Sequence, residues 1–115
     1  MASRNEQIAE NEVLFRDINE RVVGLPERHE ASATEKLPFY CECGDEKCFE
    51  HVRLTLAEYE ALREDSARFA VAPGHEMLET ERVVASHVGY LVVEKNEDVR
   101  DIAERTDPRR GRANT

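Results

Sequence analysis

The sequence predicts an α+β fold: a long N-terminal helix, a small antiparallel sheet with a cysteine-bearing loop, a capped central helix, and a C-terminal β-hairpin followed by a short helix. Three observations carry that expectation. Apolar residues recur at a seven-residue spacing between positions 5 and 25, as on one face of a helix. Leu37 to Cys43 carries aromatic and thiol residues in the manner of a strand, and Val52, Leu54 and Leu56 alternate with Arg53 and Thr55 at a period of two. The stretch ERVVASHVGYLVVEK sets two β-branched runs around Val88-Gly89, the pattern of a hairpin.

In the first element the repeat is Ile8, Phe15, Ile18, Val22 and Leu25, with Asn11 at the polar seam position. Leu14 and Val23 widen the stripe, so packing on the protein's own core competes with dimerisation. Gly24 and Pro26 end the helix, and ERHEASATEK (27–36) reads as a polar linker without periodicity. A strand is expected from Leu37 to Cys43 and another through Val52, Leu54 and Leu56, flanking the loop GDEKCFE. Thr55 and Glu58 form a capping box, with Leu54 and Tyr59 at the spacing of a hydrophobic staple. That helix turns Tyr59 and Leu62 inward and should end near Asp65 or Ser66. Phe69–Ala72 is a short strand candidate stopped by Pro73-Gly74, a pair suited to a type II turn. The first run of the hairpin is also compatible with a helix. Asp98 can cap a final helix bearing Val99, Ile102 and Ala103 on one face and ending before Pro108. The resulting organisation is a helix over 1–26, a linker over 27–36, an α+β domain over 37–107 and a basic tail over 108–115.

A chain of 115 residues is one domain, and 36% charged against 40% hydrophobic residues leaves it a lean core. Its net charge of -9 repels phosphate backbones and anionic lipid, which disfavours a nucleic-acid or membrane-surface role. The basic cluster Arg109, Arg110 and Arg112 lies in a tail that reads as disordered. No apolar run approaches the roughly 20 residues that cross a bilayer, and the first residues lack a signal-peptide segment, so a cytoplasmic location is expected. Thiols are kept reduced there, and three cysteines cannot pair off internally.

All three cysteines fall within PFYCECGDEKCFEHVRLTL. On an extended chain, residues two apart share a side, so Cys41 and Cys43 present their sulfurs together while Glu42 faces away. Gly44 lets the chain turn back, bringing Cys48 toward the same point, as in a zinc-knuckle-like loop. Sulfur-rich, four-coordinate sites favour zinc. The competing reading is three ordinary buried thiols. A fourth ligand must come from elsewhere, and the residues leave three histidines open. His51 would give a compact clip, His75 follows a rigid Pro-Gly turn, and His87 sits in the hairpin; His29 lies in the linker.

The combination FYCECGDEKCFEHVRLTLAEYEALREDSARFAVAPGHE resembles a group of uncharacterised small bacterial proteins, mainly actinobacterial. They carry an N-terminal helix, a C-x-C with a following cysteine, an L-T-x-x-E-Y-E segment and a P-G-H-E turn. The resemblance spans most of residues 5–108. It implies that His75 joins the cysteines as fourth ligand, and it implies no activity.

Three thiolates make zinc a poor acid toward water, so a structural Cys3His site is expected, in a non-enzymatic module that binds another protein. The N-terminal helix is the expected contact surface, and the acidic charge favours a basic partner. One alternative is a redox sensor that releases zinc when its thiolates are oxidised. Another is a zinc-dependent hydrolase with Glu76 as base. No Gly-rich phosphate loop, HExxH helix or GxSxG elbow is present.

Overall fold

Helix α1 spans Arg4–Val23 and begins at a capping box outside the range expected from periodicity: the Ser3 hydroxyl accepts from the Glu6 amide and the Glu6 carboxylate accepts from the Ser3 amide. The structure is a computed structural model, describing residues 3–25, 28, 30 and 32–109. The buried face of α1 is Ile8, Ala9, Glu12, Val13, Phe15, Arg16, Asn19 and Val23, rotated from the expected seam. Leu25, assigned to that seam, is 47% exposed. Polar groups cause the rotation, because each of them finds a partner inside the protein. Asn19 donates to Tyr40 O at 2.9 Å and accepts from Tyr40 N at 2.8 Å, pairing with a strand edge as a neighbouring backbone would. The Arg16 guanidinium lies 5.3 Å above the Phe69 ring and donates to Ser66 O and Ala103 O.

Strands β1 (Leu37–Tyr40) and β2 (His51–Leu54) pair antiparallel, Leu37 opposite Leu54 and Tyr40 opposite His51. The first strand was expected to run to Cys43, but its ladder stops at Tyr40. Cys41 N–H still donates to Glu50 O, just before β2, at 2.9 Å, and the chain then changes partners, Glu42 N–H donating to Ala70 O of β3 at 2.8 Å. Leu56 is the first residue of helix α2 (Leu56–Leu62) instead of the last of a strand. The Thr55–Glu58 capping box is fully formed, and the staple residues Leu54 and Tyr59 are both buried. Tyr59 also stacks on Phe39, ring centroids 4.4 Å apart. The helix closes at Leu62, a turn earlier than expected, with Arg63 as its C-cap.

Strand β3 (Arg68–Val71) leads into the Pro73-Gly74 turn, where His75 N–H donates to Ala72 O at 2.9 Å and Gly74 adopts φ +90°, as a type II turn requires. Strands β4 (Glu81–His87) and β5 (Tyr90–Lys95) form the expected hairpin around Val88-Gly89, with an irregularity between Val83 and Ala85. The helical alternative for the first run is thereby excluded. Strand β3 joins the hairpin through β5, giving a second antiparallel sheet in the order β3-β5-β4. Helix α3 (Glu97–Arg105) is capped at Asn96, not Asp98. Asn96 N–H is held by Thr80 O at 2.8 Å at the end of β5, so the helix starts at once and Asp98 falls in its first turn. Val99, Ile102 and Ala103 face inward as expected.

The core runs from Leu37, Phe39, Val52 and Leu54 of the first sheet, through Tyr59 and Leu62, to Phe69, Val71 and Val93 of the second and to α3. Of the expected linker, Glu27, His29 and Ala31 lie outside the described residues, whereas Arg28 donates to Pro38 O at 2.8 Å. Of the expected tail, Arg109 pairs with Glu20 and Glu60, and residues 110–115 lie outside the described residues. No helix among the described residues is long and apolar enough to cross a membrane.

Candidate metal centre

Cys41, Cys43, Cys48 and His75 each direct one donor atom into a single cluster, with all four atoms within 4.8 Å of one another. Their convergence has a local cause at each residue. Cys41 and Cys43 share a side of the extended chain, as their spacing requires. Glu42, between them, points the opposite way into the interior, 0% exposed. There its carboxylate accepts from Asn19 Nδ2 at 2.9 Å, Tyr59 OH at 3.3 Å, Arg63 at 3.3 Å and Ala70 N at 3.0 Å. The side chain opposite the sulfurs is thus bonded to α1, α2 and β3, which fixes the orientation of both thiols.

The loop then turns over Asp45, which accepts from Lys47 N at 2.9 Å through its side chain and from Cys48 N at 3.0 Å through its carbonyl. Helix α1 holds the beginning of this turn. Asn11 donates to Gly44 O at 2.8 Å, and a Cβ on Gly44 would lie 2.4 Å from Ile8 Cγ2. Glycine is required here for close approach, not for a left-handed backbone. Gly44→Ala is therefore expected to cost about 1–3 kcal/mol in denaturant unfolding through overpacking. Ile8→Ala in the same chain should restore part of that loss; a double variant no better than the sum of the two singles would refute the contact.

His75 arrives from the type II turn after β3. Its Nδ1 lies 3.5 Å from Cys48 Sγ and 3.7 Å from Cys41 Sγ. Donors on a tetrahedral zinc, with Zn–S near 2.3 Å and Zn–N near 2.05 Å, are separated by about 3.6 Å for a nitrogen–sulfur pair. These two distances match that edge, and three sulfurs with an imidazole nitrogen are donors of the type zinc favours. Cys41 Sγ also accepts from Ala72 N–H at 3.1 Å. Glu50 Oε2 lies 3.4 Å from His75 Nε2, the ring nitrogen on the far side from the sulfurs. A carboxylate there orients the imidazole and favours the tautomer with Nδ1 free to bind a metal.

Without an ion the thiols are inequivalent. A hydrogen bond from Cys41 holds Cys43 down at about 5 despite its burial. The same bond, together with burial, pushes Cys41 well up. Burial raises Cys48, and the interaction with Cys43 raises His75.

The remaining histidines lie elsewhere. His51 is exposed on β2 with its ring 4.7 Å from that of Tyr40, and His87 stacks on Tyr90 at 4.7 Å. Neither belongs to the cluster. His29 is outside the described residues. Glu76 accepts from Gly74 N–H at 2.8 Å and so braces the turn that carries His75. Sequence reasoning missed the parts played by Glu50, Asn11 and Ile8, and the burial of Glu42. The only local signal was the position of Glu50 two residues after Cys48.

Fold and donor set together define a small α+β protein whose Cys3His cluster could hold a metal ion. Comparison with protein-family models, with curated proteins and with solved structures finds nothing that matches the chain.

Glu50 is 62% exposed, so its hold on the imidazole is moderated by solvent. Glu50→Ala is expected to weaken zinc about tenfold, at the low end for such outer contacts. Competition with a chromophoric chelator measures this, and an unchanged affinity would remove Glu50 from the site.

Proposed function

We propose that this chain is a small cytoplasmic zinc protein whose Cys3His centre is structural and which serves as a non-enzymatic protein-interaction or regulatory module. One observation carries the reading: three buried sulfurs and His75 Nδ1 gather within 4.8 Å of one another, with Nδ1 3.5 Å from Cys48 Sγ and 3.7 Å from Cys41 Sγ. When bound, zinc supplies a crosslink between the 41–48 loop and the turn after β3. The site is described best as closed, because four protein donors fill the usual coordination number. Engagement of Glu76 by the turn amide works against its use as a hydrolytic base. Burial of Cys41, Cys43 and Cys48 works against easy oxidation of the sulfurs, and so against the redox-sensor alternative.

The partner surface is the outer face of α1, where Leu14 is 52% exposed and Leu25 follows at the helix end. The acidic charge would steer a basic partner to it. The small bacterial proteins that the chain resembles are its proposed kin, sharing the cysteine loop and the P-G-H-E turn.

Metal analysis of protein purified without added zinc is expected to return one zinc per chain. His75→Ala should lose that stoichiometry and His51→Ala should keep it. The opposite pattern, or a metal-free protein that unfolds cooperatively, would defeat the assignment.

A further inference from the structure

Against the chain's acidic charge, a concavity among the described residues carries Lys36 and Arg53 at its rim. A groove of about 640 Å³ opens between β2, α2 and the tip of the β4–β5 hairpin, lined by Lys36, His51, Arg53, Glu58, His87 and Val88. That volume lies in the usual range for small-molecule sites. Glu58 and His87 also line an adjoining pocket of about 230 Å³, whose walls include Leu54, Leu62, Ala85 and Val92. Charged groups and apolar walls therefore meet in both, with Arg68 and Tyr90 also lining the smaller one.

The charges of the groove are unequally committed. Glu58 is bound by Lys36 Nζ at 2.6 Å, by Tyr90 OH at 3.2 Å and by the Thr55 amide at 2.7 Å. Burial opposes its ionisation, but these three donors prevail and hold it at about 2. Lys36 and Glu58 therefore cancel. Arg53 donates to Lys36 O at 3.0 Å and, among the described residues, pairs with no carboxylate. This occurs in a chain with 25 acidic and 16 basic residues, where most guanidinium groups find an acid. His51 and His87 flank it, His87 stacked on Tyr90 and His51 tilted against Tyr40 with ring centroids 4.7 Å apart in each pair. Val88, at the hairpin tip, is 98% exposed beside the same groove.

We propose that this groove binds a small amphipathic carboxylate, with its anionic head at Arg53 and the two imidazoles and its apolar body between Val88 and the recess beyond His87. An unpaired guanidinium is a fork suited to a carboxylate. An apolar body covering Val88 would remove from water a side chain that nothing in the fold covers. The proposal is independent of the metal centre, whose ligands line neither pocket.

Octanoate is the probe, titrated into zinc-loaded protein and followed by two-dimensional amide NMR. Saturable shifts are expected, concentrated at Arg53, His87, Val88 and Ala85. Arg53→Gln should weaken binding about tenfold, the size of one lost charge-assisted hydrogen bond. Val88→Ser, at a position too exposed to disturb folding, should weaken it severalfold. Acetate and octanol each carry half of the recognised chemistry and should each bind at least tenfold more weakly than octanoate. Shifts that do not saturate, that lie outside the groove, or that persist unchanged in both variants would overturn the proposal. So would octanol binding as tightly as octanoate.

Discussion

Withdrawing zinc, by a strong chelator or by Cys43→Ser, is expected to remove on the order of 10 kcal/mol of folding free energy. That is comparable with the whole net stability of an ordinary domain, about 5–15 kcal/mol. The magnitude follows from what the cluster connects. The 41–48 loop leaves β1, carries the contact of Gly44 with Ile8 of α1, and returns to β2. His75 ties that loop to the connection between β3 and β4. Without an ion, three sulfurs and an imidazole would be crowded into a buried cluster held by weak hydrogen bonds alone. If zinc binds the folded chain as proposed, the denaturant midpoint should climb with free zinc concentration. Cys43→Ser should lie low and respond little to zinc, since a hydroxyl is a poor substitute for a thiolate. Equal midpoints for chelated and zinc-loaded protein would contradict the account.

The second large effect is expected at Lys95. Its ammonium is fully buried and reaches Glu12 Oε1 at 2.5 Å, Thr80 Oγ1 at 2.7 Å and Glu81 Oε1 at 3.1 Å. The three charged residues come from α1, β4 and β5, so the cluster joins the N-terminal helix to the second sheet. Lys95→Met leaves two buried carboxylates facing each other and should cost about 3–5 kcal/mol. Unfolding of the zinc-loaded variant measures it, and a loss below about 1 kcal/mol would show that the pair is dispensable. The same cluster makes a pH prediction. Burial, and then the neighbouring Glu81 carboxylate, lift Glu12 well above the ordinary value of 4.5, and Lys95 only partly opposes them. A folded value above the unfolded one favours the protonated form. This contribution is therefore complete below about pH 4.5 and declines as pH rises through the folded value. Glu12→Gln keeps the shape without the charge and should flatten that decline; an unchanged pH profile would rule out the raised value.

Much of the local structure was legible because it depends on neighbours in sequence. The Thr55–Glu58 box, the Pro73-Gly74 turn, the hairpin around Gly89 and the inward set Val99, Ile102 and Ala103 all form as read. The misjudged points share one cause. Helix α1 was read from its apolar residues, yet Glu12, Arg16 and Asn19 are buried with them because their partners lie far along the chain, at Lys95, Ala103 and Tyr40. No window on the helix contains those partners. The first strand was extended through the cysteines because alternation does not reveal that Glu42 bonds to Ala70 instead of to β2.

Taken alone, the sequence determined that Cys41 and Cys43 share a side, that a turn returns Cys48 toward them, and that a rigid Pro-Gly turn presents His75. Those are consequences of backbone geometry over a few residues. The residues by themselves left three histidines open, and only the resemblance pointed to His75; the tertiary structure brings His75, and neither His51 nor His87, to the sulfurs, through the pairing of Glu42 with β3 twenty-eight positions away. A hydrogen bond across the core, satisfied on the side opposite the thiols, is what sets the turn after β3 beside the cysteine loop.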